Sequence, residues 1–194
     1  MPRIGMEPVR RKALIAAAIE TIHQNGMGQV TMGDIARRAG VSAGLAHHYF
    51  GGKNQLLLAT MRSLLAELAE GVQAGLGRAA TPEARIAAII RGNFTGQFRP
   101  AVISAWLAFY AQAQTDPEAR RLLRVYTRRL RSNLVHALRG LTRRDKAEAI
   151  AETAAALIDG LWIRCSLAAG DPDAEAAAAV VERAVFDALR RPDA

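Results

Sequence analysis

Apolar residues recur along this chain at three- and four-residue intervals, and glycine and proline interrupt the pattern repeatedly. In the first stretch Ala13, Leu14, Ala17, Ala18, Thr21 and Ile22 share a face. Pro8 can open such a helix and Asn25-Gly26 can stop it, which predicts a helix over about 8–25. Thr31 stands three residues before Asp34, a variant of the capping box, so a second short helix runs over about 32–39 and ends at Gly40. Ser42 caps a third, in which Leu45, His48 and Tyr49 share a face and which Gly51-Gly52 closes. The stripe Leu56, Leu57, Met61, Leu64, Leu65 and Leu68 marks a long fourth helix over about 53–77.

Further helices are predicted over about 82–97, 101–113, 117–139, 142–169 and 173–190. The breaks are Thr81-Pro82, Arg99-Pro100, Asp116-Pro117, Gly140-Leu141-Thr142 and Gly170-Asp171-Pro172. No segment alternates apolar and polar residues over strand length. The expected fold class is all-α with about nine helices: a head of three over residues 1–52 and a helical body over 53–194.

Composition supports helix over sheet, since alanine and leucine dominate a 51% hydrophobic chain with only 5% aromatic residues. The single cysteine, Cys165, forms no internal disulfide, and no Cys/His cluster has metal-site spacing. The opening MPRIGMEPVRRK is basic without an apolar stretch after it, and no apolar run approaches the roughly 18 residues of a membrane span. These features point to a cytoplasmic protein without a membrane partner. Outside the head, Cys165, His136 and Ser166 are the nucleophile and base candidates, and no triad supports them, so no enzyme, cofactor or metal is expected.

Charge is unevenly spread. Of a net +8 over 194 residues, residues 1–62 hold eight basic against three acidic side chains, a net +5. A basic amino-terminal part fits a polyanionic partner, nucleic acid first, or a solvated basic surface.

The stretch Thr31–Phe50 separates these readings. A short helix, a turn through glycine and a second helix entered through serine form a helix-turn-helix, whose second helix lies in the major groove of duplex DNA. Ile35 and Ala36 can face inward while Ala39-Gly40 keeps the turn small. Ala43 and Gly44 allow the backbone near base edges, and Ala43 or Leu45 can meet a thymine methyl. His47 and His48 can bond bases or phosphates, although either histidine alone also suits a plain surface. Tyr49 suits a phosphate, and Lys53 adds charge beside helix-terminal amides. Arg10, Arg11, Thr31 and Ser42 complete the expected DNA-binding set.

Thr31, Asp34-Ile35-Ala36, Ala39-Gly40-Val41-Ser42, Gly44, Tyr49-Phe50, Lys53 and Leu56 together resemble the signature of the TetR-type transcriptional repressors. The resemblance implies a homodimer with two helix-turn-helix heads and a ligand-sensing body. It implies dimerisation through the last two long helices, about 142–169 and 173–190. Many members of that family carry an aromatic residue where this chain has His47 and a larger aliphatic one where it has Ala46.

Beyond the head, the opening MPRIGMEPVRR, Gly92-Asn93-Phe94, the run AWLAFYAQ from Ala105, RRLRSNLV from Arg128 and ALIDGLWIR from Ala156 are similar to the choline-responsive branch of the family, which represses genes for glycine betaine synthesis. The effector so implied is choline or betaine aldehyde; a different small molecule such as a cationic drug is the other reading. A quaternary ammonium has no N–H to donate, so aromatic faces and a counter-charge must recognise it. Phe94, Phe98, Trp106, Phe109, Tyr110 and Trp162 are the candidate faces, although Trp106, Phe109 and Tyr110 at i, i+3, i+4 also fit a plain core stripe. Asp159, within AAALIDGLW, either supplies the counter-charge or pairs with Arg164 or another arginine of the body. Asn93 is the candidate for the ligand oxygen. The arginine row from Arg120 to Arg131 reads as a solvated face, a dimer surface or a DNA-backbone contact.

Overall fold

A computed structural model describes residues 6–168 and 170–192, and all regular structure among them is helical. Nine helices follow in order: α1 (Glu7–Gln29), α2 (Met32–Arg38), α3 (Ala43–Phe50), α4 (Lys53–Arg78), α5 (Pro82–Gly92), α6 (Pro100–Thr115), α7 (Pro117–Leu138), α8 (Arg144–Leu167) and α9 (Ala174–Arg190). None is long and apolar enough to cross a membrane among the described residues. The first five residues of the opening motif, MPRIG, lie outside the described residues.

The caps expected from sequence are formed. The Asp34 amide donates to Thr31 Oγ1 at 3.1 Å and the Thr31 amide donates to Asp34 Oδ2 at 3.1 Å, closing the capping box of α2. Ser42 Oγ accepts from the Leu45 amide at 3.2 Å, and Thr81, read from sequence only as part of a break, also caps a helix, its Oγ1 accepting from the Ala84 amide at 3.1 Å. Between α2 and α3 the turn runs through Gly40 at φ +67°, a left-handed conformation in which a side chain is strained. The Val41 amide then donates back to Ala36 O at 3.0 Å.

Two boundaries differ from expectation. Helical geometry in α1 is interrupted at Gly26, φ +71° and ψ 148°, where a stop was expected, but the coil resumes to Gln29. The helix expected over about 82–97 ends at Gly92 instead. Asn93 turns its side-chain amide onto Ile89 O at 2.7 Å, and Gly96 adopts φ +82°, so residues 93–97 form turns rather than helix.

The chain forms two compact units, Met1–Leu64 with Pro100–Arg120, and Leu65–Arg99 with Arg121–Ala194. In the first, α1 packs along α6 and α2 against both α1 and α3. Its core is built from Leu14, Ala18, Ile35, Ala46, Leu57 and Met61 with Ala105 and Phe109, all essentially inaccessible to water. His23 Nδ1 meets Ser104 Oγ at 2.9 Å across the α1–α6 seam. In the second unit, α9 packs on α8 and α5 around Ile86, Ile90, Leu134, Ile158 and Val181. Arg91 on α5 holds Glu182 on α9 through two bonds, 2.6 and 3.2 Å.

Candidate nucleic-acid interface and aromatic cluster

The head presents α3 by its amino-terminal turn. Ser42, Ala43, Gly44, His47 and His48 are exposed, Leu45 and Tyr49 are half-buried, and Ala46 and Phe50 are buried as the anchoring face. A small residue at position 46 fits this role: its methyl group is fully enclosed, so α3 lies close to its neighbours.

His47 Nδ1 lies 3.1 Å from Gly51 O. A carbonyl oxygen only accepts, so Nδ1 carries the hydrogen and the neutral ring offers Nε2 outward as an acceptor. An acceptor there suits the N–H of an adenine or cytosine amino group, and the protonated ring would suit a phosphate. His48 stacks obliquely beside Tyr49, ring centroids 5.6 Å apart.

The remaining head residues divide into contact and positioning groups. Arg10 is exposed. Arg11 is engaged within the head: its guanidinium donates to Tyr49 O at 3.2 Å and lies 4.8 Å from the Phe50 ring centroid, tying α1 to the end of α3. Lys53 Nζ donates to Met27 O at 3.1 Å, which fixes the ammonium beside the first turn of α4 and leaves it two further donors. Thr31 uses its hydroxyl in the capping box, where its hydrogen bonds hold the Asp34 carboxyl below its ordinary pKa of 3.8, aided by Arg37. Arg37 and Arg38, which composition counted but the motif did not place, are exposed at the end of α2 and line a shallow cleft with Thr21, Asn25 and Asp34. Their position in the helix that crosses the DNA backbone was the available signal.

The candidate ligand residues fall into both compact units. Asn93, Phe94, Phe98, Asp159 and Trp162 belong to one; Trp106, Phe109 and Tyr110 belong to the other, on α6. In the first group Phe98 meets Phe94 and Trp162 edge-on, each at 5.0 Å between centroids. Trp162 Nε1 donates to Asn93 O at 3.2 Å, and Asn93 Oδ1 accepts from the Tyr126 hydroxyl at 3.2 Å. Tyr126 was not among the expected residues. Burial pushes its hydroxyl pKa up, and the negative charge of Asp159 adds to the shift. In the second group Trp106 lies 6.1 Å from Phe109 and 5.7 Å from Tyr110, centroid to centroid, with Trp106 and Phe109 buried.

This fold and head define a helix-turn-helix DNA-binding transcriptional regulator. Residues 14–60 match the family of bacterial regulatory proteins described as tetR, and residues 82–190 match the BetI-type transcriptional repressor, C-terminal family. The chain belongs to the TetR family and, within it, to the BetI-type repressors. It is 58% identical over 183 residues to the HTH-type transcriptional regulator BetI of Brucella anthropi, covering 94% of each chain. It is 55% identical over 191 residues to that of Rhizobium meliloti, covering 98% of this chain and 94% of the relative. A transcriptional regulator from Pseudomonas aeruginosa PAO1 shares the fold at TM-score 0.79 and 24% identity, over 96% of this chain and 93% of that one. So does one from Saccharomonospora viridis, solved in complex with choline, at TM-score 0.79 and 22% identity over 91% and 95%.

Proposed function

We propose that this chain is a cytoplasmic, homodimeric repressor of genes for converting choline to glycine betaine, without catalytic activity. In this reading choline or betaine aldehyde releases it from its operator. The observation that carries the reading is the match to BetI-type regulators along nearly the whole chain, together with an α3 whose exposed face is polar and small while its inner face is buried. One α3 per subunit enters successive major grooves, so the half-sites lie about one helical turn apart or a multiple of it.

The dimer forms through α8 and α9. Ile163 and Leu167 on α8 and Val180 on α9 are exposed at 42%, 81% and 49%, an apolar surface that a second copy would cover. Val181 and Val185 are buried within the chain and belong to its own core.

The effector site is assigned to Phe94, Phe98, Trp162, Asn93 and Asp159. Aromatic edges and faces with one nearby carboxylate suit a cation that cannot donate an N–H bond. The choline-bound neighbour supports that chemistry. Asp159 provides the counter-charge and Asn93 orients the ligand oxygen. Ligand favours a state with the two heads out of register, and α4, which continues from one compact unit into the other, carries the change.

Fluorescence anisotropy on duplexes from upstream of the chain's own gene tests the reading. Specific binding weakened by choline is the expected result. Specific binding that choline leaves unchanged while a bulkier organic cation weakens it would replace the effector, and absence of sequence preference would overturn the repressor assignment.

A further inference from the structure

On α7, Arg121, Arg124, Val125, Arg128, Arg129 and Ser132 recur at i, i+3, i+4, i+7, i+8 and i+11. That spacing ordinarily builds the buried stripe of a helix, yet here every one of the six is exposed, Val125 at 58%. The inward face of the same helix is separate: Tyr126, Leu130, Leu134 and Ala137 are buried. The outer six line an open groove of about 610 Å³.

The arginines of this face differ from their neighbours. Arg120 donates to Ala113 O at 3.1 Å, and Arg131 pairs with Glu148 at 3.3 Å. Arg121, Arg124, Arg128 and Arg129 have no carboxylate partner among the described residues. Four guanidinium groups at successive spacings of three, four and one residues repel one another, and no carboxylate among the described residues offsets that cost.

An anionic partner would offset it. A second copy of the chain is the weaker match: its exposed unpaired carboxylates, such as Glu70, Glu83 and Glu175, are scattered along the sequence, while Glu118, Glu148, Glu182 and Asp187 are already paired with arginines of their own chain. Duplex DNA is a good one. The guanidinium fork matches phosphate oxygens, and from Arg121 to Arg129 the helix rises about 12 Å, room for several phosphates of a duplex that carries one charge per about 1.7 Å of its axis. Val125 and the arginine stems can rest on deoxyribose between those contacts.

We propose that the outer face of α7 is a second, sequence-independent DNA-binding surface, which holds a duplex segment distinct from the operator bound by α3. A protein molecule so equipped joins two stretches of duplex. The inference rests on operator binding by the head and is independent of which effector the body takes.

The test saturates full-length protein with unlabelled operator duplex and titrates in a labelled non-operator duplex across a salt series, read by anisotropy. Wild type is expected to bind the second duplex, with log K falling against log salt at a slope near −3 to −4, about 0.9 per phosphate contact. The R121Q/R124Q/R128Q/R129Q variant is expected to keep operator affinity and lose the second duplex. Single glutamine substitutions are expected to lower the slope by about 0.9 each, which keeps the inference testable if the fourfold variant folds poorly. Failure of operator-saturated wild type to bind the second duplex, or equal binding by the variants, would overturn it. Loss of dimerisation in the variants, measured by sedimentation, would assign the face to the subunit interface and overturn it equally. Absence of operator binding by wild type would instead count against the repressor reading itself.

Discussion

At the scale of single residues, polar side chains in the head do two kinds of work, and a hydrogen bond distinguishes them. Thr31 and Arg11 bind their own backbone and hold α2 and α3 in place, whereas His48 and Arg10 face water. Replacing Thr31 with alanine removes an N-cap and should cost about 1 kcal/mol of stability, read by denaturant titration. The cap also links the head to pH. Asp34 has a lowered folded pKa, so its contribution is present above its unfolded value of about 3.8 and disappears as pH falls through the folded one. Acid titration should therefore narrow the gap between wild type and the alanine variant only below that point; a gap constant down to the acid limit would contradict the linkage. In the body, Tyr126→Phe leaves Asn93 Oδ1 without its buried donor. The expected loss is about 1 kcal/mol, or roughly 2–4 °C in Tm for a chain of this length. An unchanged Tm would mean that this bond does not hold the cluster together.

At the scale of elements, punctuation in the sequence located nearly every helix, because proline, glycine and small polar caps act locally. Thr31 and Ser42 cap the helices they were read to cap, Thr81, read only as part of a break, caps α5, and Gly40 takes the positive φ its turn requires. The end of α5 was harder to read. Apolar Phe94 and Phe98 extend a helical rhythm past Gly92, while the Asn93 side chain bonding back to Ile89 O, the turn bonds onto Ile90 O and Arg91 O, and Gly96 at positive φ close the helix. Tyr126 was hidden for a related reason: it sits among arginines, and the outward stripe of α7 masks the inward one. The gathering of α6 with the head could not be read at all, since it depends on packing between α1 and α6, far apart in sequence. Two glycines separate fold from function at this scale. Gly40→Ala should destabilise by about 1–2 kcal/mol through backbone strain alone, because the added Cβ meets no atom within 4 Å. Gly44→Ala, helical and equally unobstructed, should not lower stability but should weaken operator binding by keeping α3 away from the bases. Equal effects of the two on folding would contradict this division.

At the scale of the whole molecule, the proposed repressor requires two heads, and the proposed means of joining them is the exposed apolar residues of α8 and α9. Val180→Glu places a charge on that surface and should yield monomers in sedimentation, with operator affinity falling together with the dimer. A dimer that survives the substitution would move the interface elsewhere. Release by ligand then needs little energy, since a tenfold loss of operator affinity corresponds to about 1.4 kcal/mol of coupling. Coupling is reciprocal: whatever factor choline takes from operator affinity, operator must take from choline affinity. The most direct measurement is therefore the choline Kd by calorimetry, on free protein and on protein saturated with operator duplex. Choline is expected to bind the DNA complex more weakly, by the same factor by which it weakens operator binding. Identical choline affinity in the two states, or no choline binding in either, would contradict it.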